Sequence, residues 1–210
     1  MTEPRLRRYT TTPALLRILR RKAITLLDPM KWDDSNDSHS LSVFKEHKNL
    51  QTLLALCFTE TAETYHHWHV FAGDSGGVCI IFNKDLLLEH FDKSKGFDYG
   101  PVDYKTLDEL RNQRPSIAEL PFINRAGYVD ECEFRIIYKN RTRQVASKDV
   151  HIPIECIQKI YLNPWMPKAL VQSFRETISS IEGCERLNKY VFRSTLVGNN
   201  EWKELVSEAA

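Results

Sequence analysis

The sequence predicts a single α+β domain over residues 1–210, with a central mixed sheet flanked by helices. Three observations lead there. Residues 53–58 and 78–82 are continuous apolar runs of strand length, the pattern of buried central strands. Helical periodicity is interleaved with such runs, in Leu15, Leu16 and Leu19 and again over residues 167–181. No internal repeat, low-complexity tract or linker divides the chain.

From the N-terminus, residues 7–11 read as a short strand. Thr12-Pro13 then supplies a helix cap and a proline at the first helical position, and Arg17, Arg20 and Arg21 share a face of the helix that follows. Residues 23–27 form a second strand, ending at Asp28-Pro29. The loop Trp32-Asp33-Asp34-Ser35-Asn36-Asp37 is dense in turn formers but lacks the bend glycine and closing glutamate of a calcium loop. Its carboxylates, Asp37 included, are expected to accept backbone N–H bonds and cap the next helix. A strand over 53–59 leads into a helix opened by Thr59-Glu60-Thr61, with Tyr65, Trp68 and Ala72 on one face and Phe71 close by. Gly76-Gly77 turns the chain into the strand at 78–82, and Asn83 caps a short helix through His90. A strand over 99–104 and a helix over 107–112 follow. The two-proline stretch 114–124 is a connection long enough to serve as a lid. Then come a strand over 128–138, a polar basic loop over 140–148, a strand over 157–162, an amphipathic helix over 167–181 and a last strand over 190–197. The expected core holds Leu19, Leu56, Phe58, Trp68, Ile80, Phe82, Phe134, Ile136 and Ile160.

With 42% hydrophobic and 27% charged residues and a net charge of +1, the composition argues against disorder and gives no global pull toward nucleic acid or acidic membranes. Cys57, Cys79, Cys132, Cys156 and Cys184 are scattered among apolar neighbours with no Cys-x-x-Cys pair, which reads as buried free thiols in a reducing compartment. The longest apolar run is far too short to span a bilayer, and the charged N-terminus lacks the apolar core of a signal peptide. A cytoplasmic protein without a membrane partner is expected.

The segment Glu131-Cys132-Glu133-Phe134-Arg135-Ile136-Ile137 carries the most chemistry. Strand alternation would turn Cys132, Phe134 and Ile136 to a core and line Glu131, Glu133 and Arg135 on the other face, about 6.5 Å apart. One reading is a solvated face with an ion pair worth no more than about 1 kcal/mol. The other is a cleft with two carboxylates, one ionised and one exchanging protons. His66 and His69 are three apart, but no third ligand stands at a known zinc spacing, so no metal is expected.

Leu6-Arg7-Arg8-Tyr9, the Trp32–Asp37 loop, Cys57-Phe58-Thr59, Trp68 with Phe71, residues 77–82 and Glu131-Cys132-Glu133-Phe134-Arg135 occur in that order. This order resembles a widespread bacterial domain family of unknown function. Its members carry a Lys-Tyr-Arg start, an Asn-Asp-Pro-Phe loop, a Cys-Phe-Ser strand, a Met-Trp helix and a Glu-x-Glu-x-Arg strand. The resemblance covers roughly residues 6–165 and rests on the order of the motifs, none of which is specific alone. Thr10 stands where that family has arginine, Thr59 where it has serine and His67 where it has methionine.

The chain is also similar, more loosely, to ADP-ribosyltransferases, through a basic residue on the first strand, a hydroxyl ending a central strand and a late Glu-x-Glu. That similarity implies NAD as substrate. Arg8, or Arg7, would contact the dinucleotide, Thr59 would position the nicotinamide ribose, and Glu133 would stabilise the sugar cation as nicotinamide leaves. Glu131 would face the acceptor, and Tyr9, Trp68 or Phe71 would form a ring-stacking wall. The function expected on this basis is an NAD-consuming transferase acting at an N-glycosidic bond, of the bacterial conflict or phage-defence kind, with a protein or nucleic-acid acceptor. Two other readings stand beside it. One is a non-catalytic sensor or interaction module; the other is a metal-dependent nuclease using Asp33, Asp34 and Asp37 with His66 or His69.

Overall fold

A computed structural model describes residues 4–208. The chain is α+β. It begins with β1 (Arg5–Thr11), α1 (Thr12–Arg21), β2 (Ala23–Leu27), α2 (Ser35–His47), β3 (Thr52–Thr59) and α3 (Tyr65–Phe71). It continues through β4 (Gly77–Asn83), α4 (Lys84–Leu88), β5 (Phe97–Pro101), β6 (Asp103–Lys105), α5 (Leu107–Asn112) and β7 (Ile123–Arg125). The last elements are β8 (Glu133–Asn140), β9 (Ser147–His151), β10 (Ile157–Leu162), α6 (Leu170–Ser179), β11 (Val191–Arg193) and α7 (Asn200–Ser207). All nine expected core residues are buried. No helix among the described residues is long and apolar enough to cross a membrane.

The residues gather into two compact units. Among the described residues, one comprises 4–6, 23–61 and 83–153; the other comprises 7–22, 62–82 and 154–208.

In the first unit the strands lie in the order β9-β2-β3-β8-β5, antiparallel throughout. The long ladder joins β3 to β8, from Thr52 opposite Asn140 to Thr59 opposite Glu133. Cys57 faces Arg135 across it, so Thr59, Cys57, Glu133 and Arg135 share one face. That face is not solvated. Leu41 and Phe44 of α2 pack with Leu53, Ala55 and Ile137 on it, and Trp32 and Leu120 close the cluster. The stretch 114–124 is an ordinary connection with a 3-10 turn over Leu120–Phe122, and its continuation β7 pairs in parallel with β6.

In the second unit the order is β11-β10-β4-β1. β10 runs antiparallel to β4 and parallel to β11, so this sheet is mixed. Tyr9, Trp68, Ala72 and Cys79 form a core cluster with Tyr161 against it. Gly77 is fixed by close approach: a Cβ there would lie 2.1 Å from the Ala72 carbonyl oxygen.

Several expectations are corrected. β8 begins at Glu133 rather than Tyr128, because its partner β3 ends at Thr59 and the ladder stops there. Residues Ala126–Glu131 form a 3-10 turn, closed by Cys132 in the left-handed region at φ 43°. Cys132 is therefore exposed, not in the core, and Glu131 is not on the strand. The helix expected from Thr59 begins at Tyr65 under a Thr64 cap, since the Thr59 hydroxyl is engaged elsewhere. On that helix Trp68 and Ala72 are buried, but Tyr65 and Phe71 are exposed. The strand expected over 99–104 splits at Val102, whose N–H donates to the Glu133 carbonyl. The last strand shrinks to Val191–Arg193.

Candidate functional site

Glu133 and Arg135 lie on β8 one pleat apart, and the first turn of α2 brings Asp37 over them. Arg135 is 0% exposed, Asp37 5% and Glu133 6%. Arg135 Nε donates to Glu133 Oε1 at 2.7 Å and Nη2 to Glu133 Oε2 at 2.7 Å. Nη1 and Nη2 donate to the two Asp37 oxygens at 2.8 and 2.7 Å, and Nη1 also reaches the Pro121 carbonyl at 3.0 Å. These bonds account for all five guanidinium donors. The Trp32 ring lies 5.1 Å from the guanidinium. Burial alone would lower the Arg135 pKa, but the charge and hydrogen bonds of Glu133 more than reverse it, so the side chain stays cationic. Burial raises the Asp37 carboxyl from its ordinary value, against the pull of Arg135.

Two carboxylates face one guanidinium, which leaves negative charge uncompensated. Glu131 stands beside it, half-buried. Burial, then Glu133, Asp130 and Asp37, push its carboxyl up to about 7, with Arg135 pulling only weakly the other way. Glu133 and Glu131 thus differ in kind: one is a fixed counterion, the other a carboxyl that exchanges its proton near neutral pH.

The backbone between them is held at every polar group. The Thr59 hydroxyl donates to the Glu131 carbonyl at 2.6 Å and accepts the Thr61 N–H at 3.2 Å. Cys132 N–H donates to Val129 O at 3.3 Å, and the Cys132 carbonyl accepts Glu60 N–H at 3.0 Å. Glu133 N–H donates to the Tyr104 hydroxyl at 2.8 Å, and Glu133 O accepts Val102 N–H at 2.9 Å.

Among the residues singled out by sequence, Thr59, Glu131, Glu133 and Asp37 come together in the first unit. Arg7, Arg8, Tyr9 and Trp68 belong to the second. Arg7 and Arg8 are half-buried on β1. Tyr9 and Trp68 are buried and pack edge to face at 5.1 Å, so their rings are covered by protein. Asp37 is a counterion and not the helix cap; Asp34 fills that place, accepting Asn36 N–H at 2.9 Å. His67 bonds the Thr64 hydroxyl, and His69 packs against Tyr65 and Trp165. Among the described residues no group of three or more His, Cys, Asp and Glu side chains has the arrangement to hold a metal ion.

Sequence reasoning missed Tyr104, Trp32 and Pro121 at this site, and misread the role of Asp37. The Asp37–Arg135 pair joins residues 98 apart, a separation with no local signature. Comparison with protein-family models, curated proteins and solved structures returned no match.

Proposed function

We propose that the protein is an ADP-ribosyltransferase-like enzyme that consumes NAD at its N-glycosidic bond, with Glu131 as its working carboxyl. The observation that carries this reading is a partly buried carboxyl, Glu131, set against a fixed charge, Glu133 at the start of β8, with Thr59 bonded to the Glu131 carbonyl. A transferase needs a group that takes the acceptor's proton near neutral pH, and a carboxyl at about 7 is matched to that task. The carboxylates behind it favour the positive sugar that forms as nicotinamide leaves. Roles shift relative to the sequence reading: Glu133 is bound on both oxygens to Arg135, and Thr59 is engaged by backbone, so neither is assigned to touch substrate. A cytoplasmic setting and a protein or nucleic-acid acceptor in bacterial conflict belong to the same proposal.

The test is nicotinamide release from NAD by purified protein with bacterial lysate as acceptor source. Wild type should release nicotinamide, and Glu131→Gln should lower the rate about 100-fold or more. No release by wild type would sink the reading.

A second reading is favoured by the same network. A buried, fully satisfied Asp37–Arg135–Glu133 cluster is also what a non-catalytic module uses to pin a helix to a sheet. That module would give no nicotinamide release with any lysate.

A further inference from the structure

We infer that Thr59 and Tyr104 are positioning residues, gripping the backbone on either side of Cys132 so that the Glu131 carboxyl is held against the buried carboxylates. The inference rests on the reading of Glu131 as the working group, and it gives the two hydroxyls a role that neither sequence motif nor fold class supplies.

The backbone at Cys132 is held in a costly conformation. Cys132 adopts φ 43°, a left-handed geometry that disfavours any residue with a Cβ by about 1–2 kcal/mol. Nothing in its side chain repays that cost, since Cys132 is exposed and its thiol reaches only the Val129 carbonyl at 3.5 Å. What the left-handed turn achieves is a change of direction: Glu131 ends the 3-10 turn, and Glu133 starts the strand two residues later, with Cys132 between them. Without the turn the strand would continue through Glu131 with its side chain about 6.5 Å along the same face.

Such a turn persists only where its surroundings over-determine it. Here the polar backbone groups from the Glu131 carbonyl to the Glu133 carbonyl are all bonded, two of them by side-chain hydroxyls. Thr59 Oγ1 holds the Glu131 carbonyl at 2.6 Å, and Tyr104 Oη holds the Glu133 N–H at 2.8 Å. Thr59 sits directly opposite Glu133 in the ladder, so its hydroxyl is placed by the sheet. Tyr104 is placed by β6, and burial keeps its phenol protonated far above neutral pH, so it is a constant partner.

The groups that set the Glu131 carboxyl are Glu133 on β8, Asp37 on α2, Asp130 on its own turn and Arg135, with Tyr104 and Tyr128 also within its field. Three of those are like charges. A segment free to relax would swing Glu131 away from them into water; the two hydroxyl bonds oppose that swing.

The test follows Glu131 itself by carbon-detected NMR titration of its carboxyl, in wild type, Tyr104→Phe, Thr59→Val and Thr59→Ser. Tyr104→Phe and Thr59→Val should each lower the Glu131 midpoint by about one pH unit toward the ordinary glutamate value, and Thr59→Ser should restore it. A midpoint that stays put while urea stability falls would overturn the inference, because the bonds would then serve the fold alone. If Thr59→Val does not fold, Tyr104→Phe decides by the same two outcomes. The readout needs no turnover: a moved midpoint in a protein that releases no nicotinamide would keep the positioning role and reject the transferase reading.

Discussion

Each unit builds a polar network around a glutamate, and the two choose opposite partners. In the first, Glu133 meets the Arg135 guanidinium, itself shared with Asp37. In the second, Glu63 Oε1 accepts from the Trp68 indole N–H at 2.6 Å and from the Ser194 hydroxyl. Its neighbours Tyr9 and Cys79 are pushed upward by burial, the thiol to about 12, so neither ionises near neutral pH. The charged network holds two negative groups against one positive and hands the imbalance to Glu131. The second network sets its glutamate against neutral donors, and the charge of Glu63 adds to burial in raising Tyr9 and Cys79. Excess negative charge therefore yields a group that titrates near neutral pH where its neighbour is a carboxyl, Glu131; beside Glu63 it falls on a phenol and a thiol and moves both further from neutral pH.

Removing Arg135 should break the first network most severely. Arg135→Ala strands Asp37 and Glu133 in the interior without a countercharge, and should cost about 3–5 kcal/mol in urea unfolding. A loss below about 1 kcal/mol would mean that both carboxyls take up protons at no cost, and the contrast between the networks would collapse.

Glu133→Gln is the next largest. With both oxygens on Arg135, the amide turns a donor toward a guanidinium donor, and a loss of about 2–3 kcal/mol is expected. An unchanged melting temperature would show that Glu133 is not the fixed member of the pair.

The strands were legible because burial on both faces writes itself as a continuous apolar run: residues 53–58 and 78–82 lie within β3 and β4. The polar face of β8 was legible as alternation, but its surroundings were not. Nothing near Glu133 or Arg135 announces that α2 covers them, since the covering residues Asp37, Leu41 and Phe44 lie far away in sequence. Asp34 and Asp37 look alike in a turn-rich run; only the packing of α2 makes one a cap and the other a counterion. Cys132 illustrates the remaining gap. Its flanking pattern is that of a strand, and the turn there is imposed by the end of β3.

The pH dependence sharpens the comparison further. Glu131 has a folded pKa of about 7 against an ordinary 4.5, so the folded state binds its proton more tightly than the unfolded state does. Its contribution is fully present below the unfolded value and is lost as pH rises through the folded one. Wild type should lose about 1–2 kcal/mol between pH 5 and 7.5, allowing for screening of a partly exposed group. Glu131→Gln should flatten that slope in urea titrations at several pH values. A slope that survives the substitution would move the titrating group elsewhere.

The smallest effect is expected where the same chemical change falls on the neutral network. Glu63→Gln retains the one oxygen that accepts from Trp68 and Ser194. What is lost is only the extra strength that a charged acceptor gives a hydrogen bond, about 1 kcal/mol or less. Measured beside Glu133→Gln in the same urea series, it isolates the partner from the substitution. Both changes swap one carboxyl oxygen for an amide nitrogen, so any difference belongs to what the side chain faces. Equal losses at the two positions would show that the guanidinium adds nothing beyond an ordinary hydrogen bond. The charge imbalance assigned to the first unit would then have no source in Arg135 and its two carboxylates.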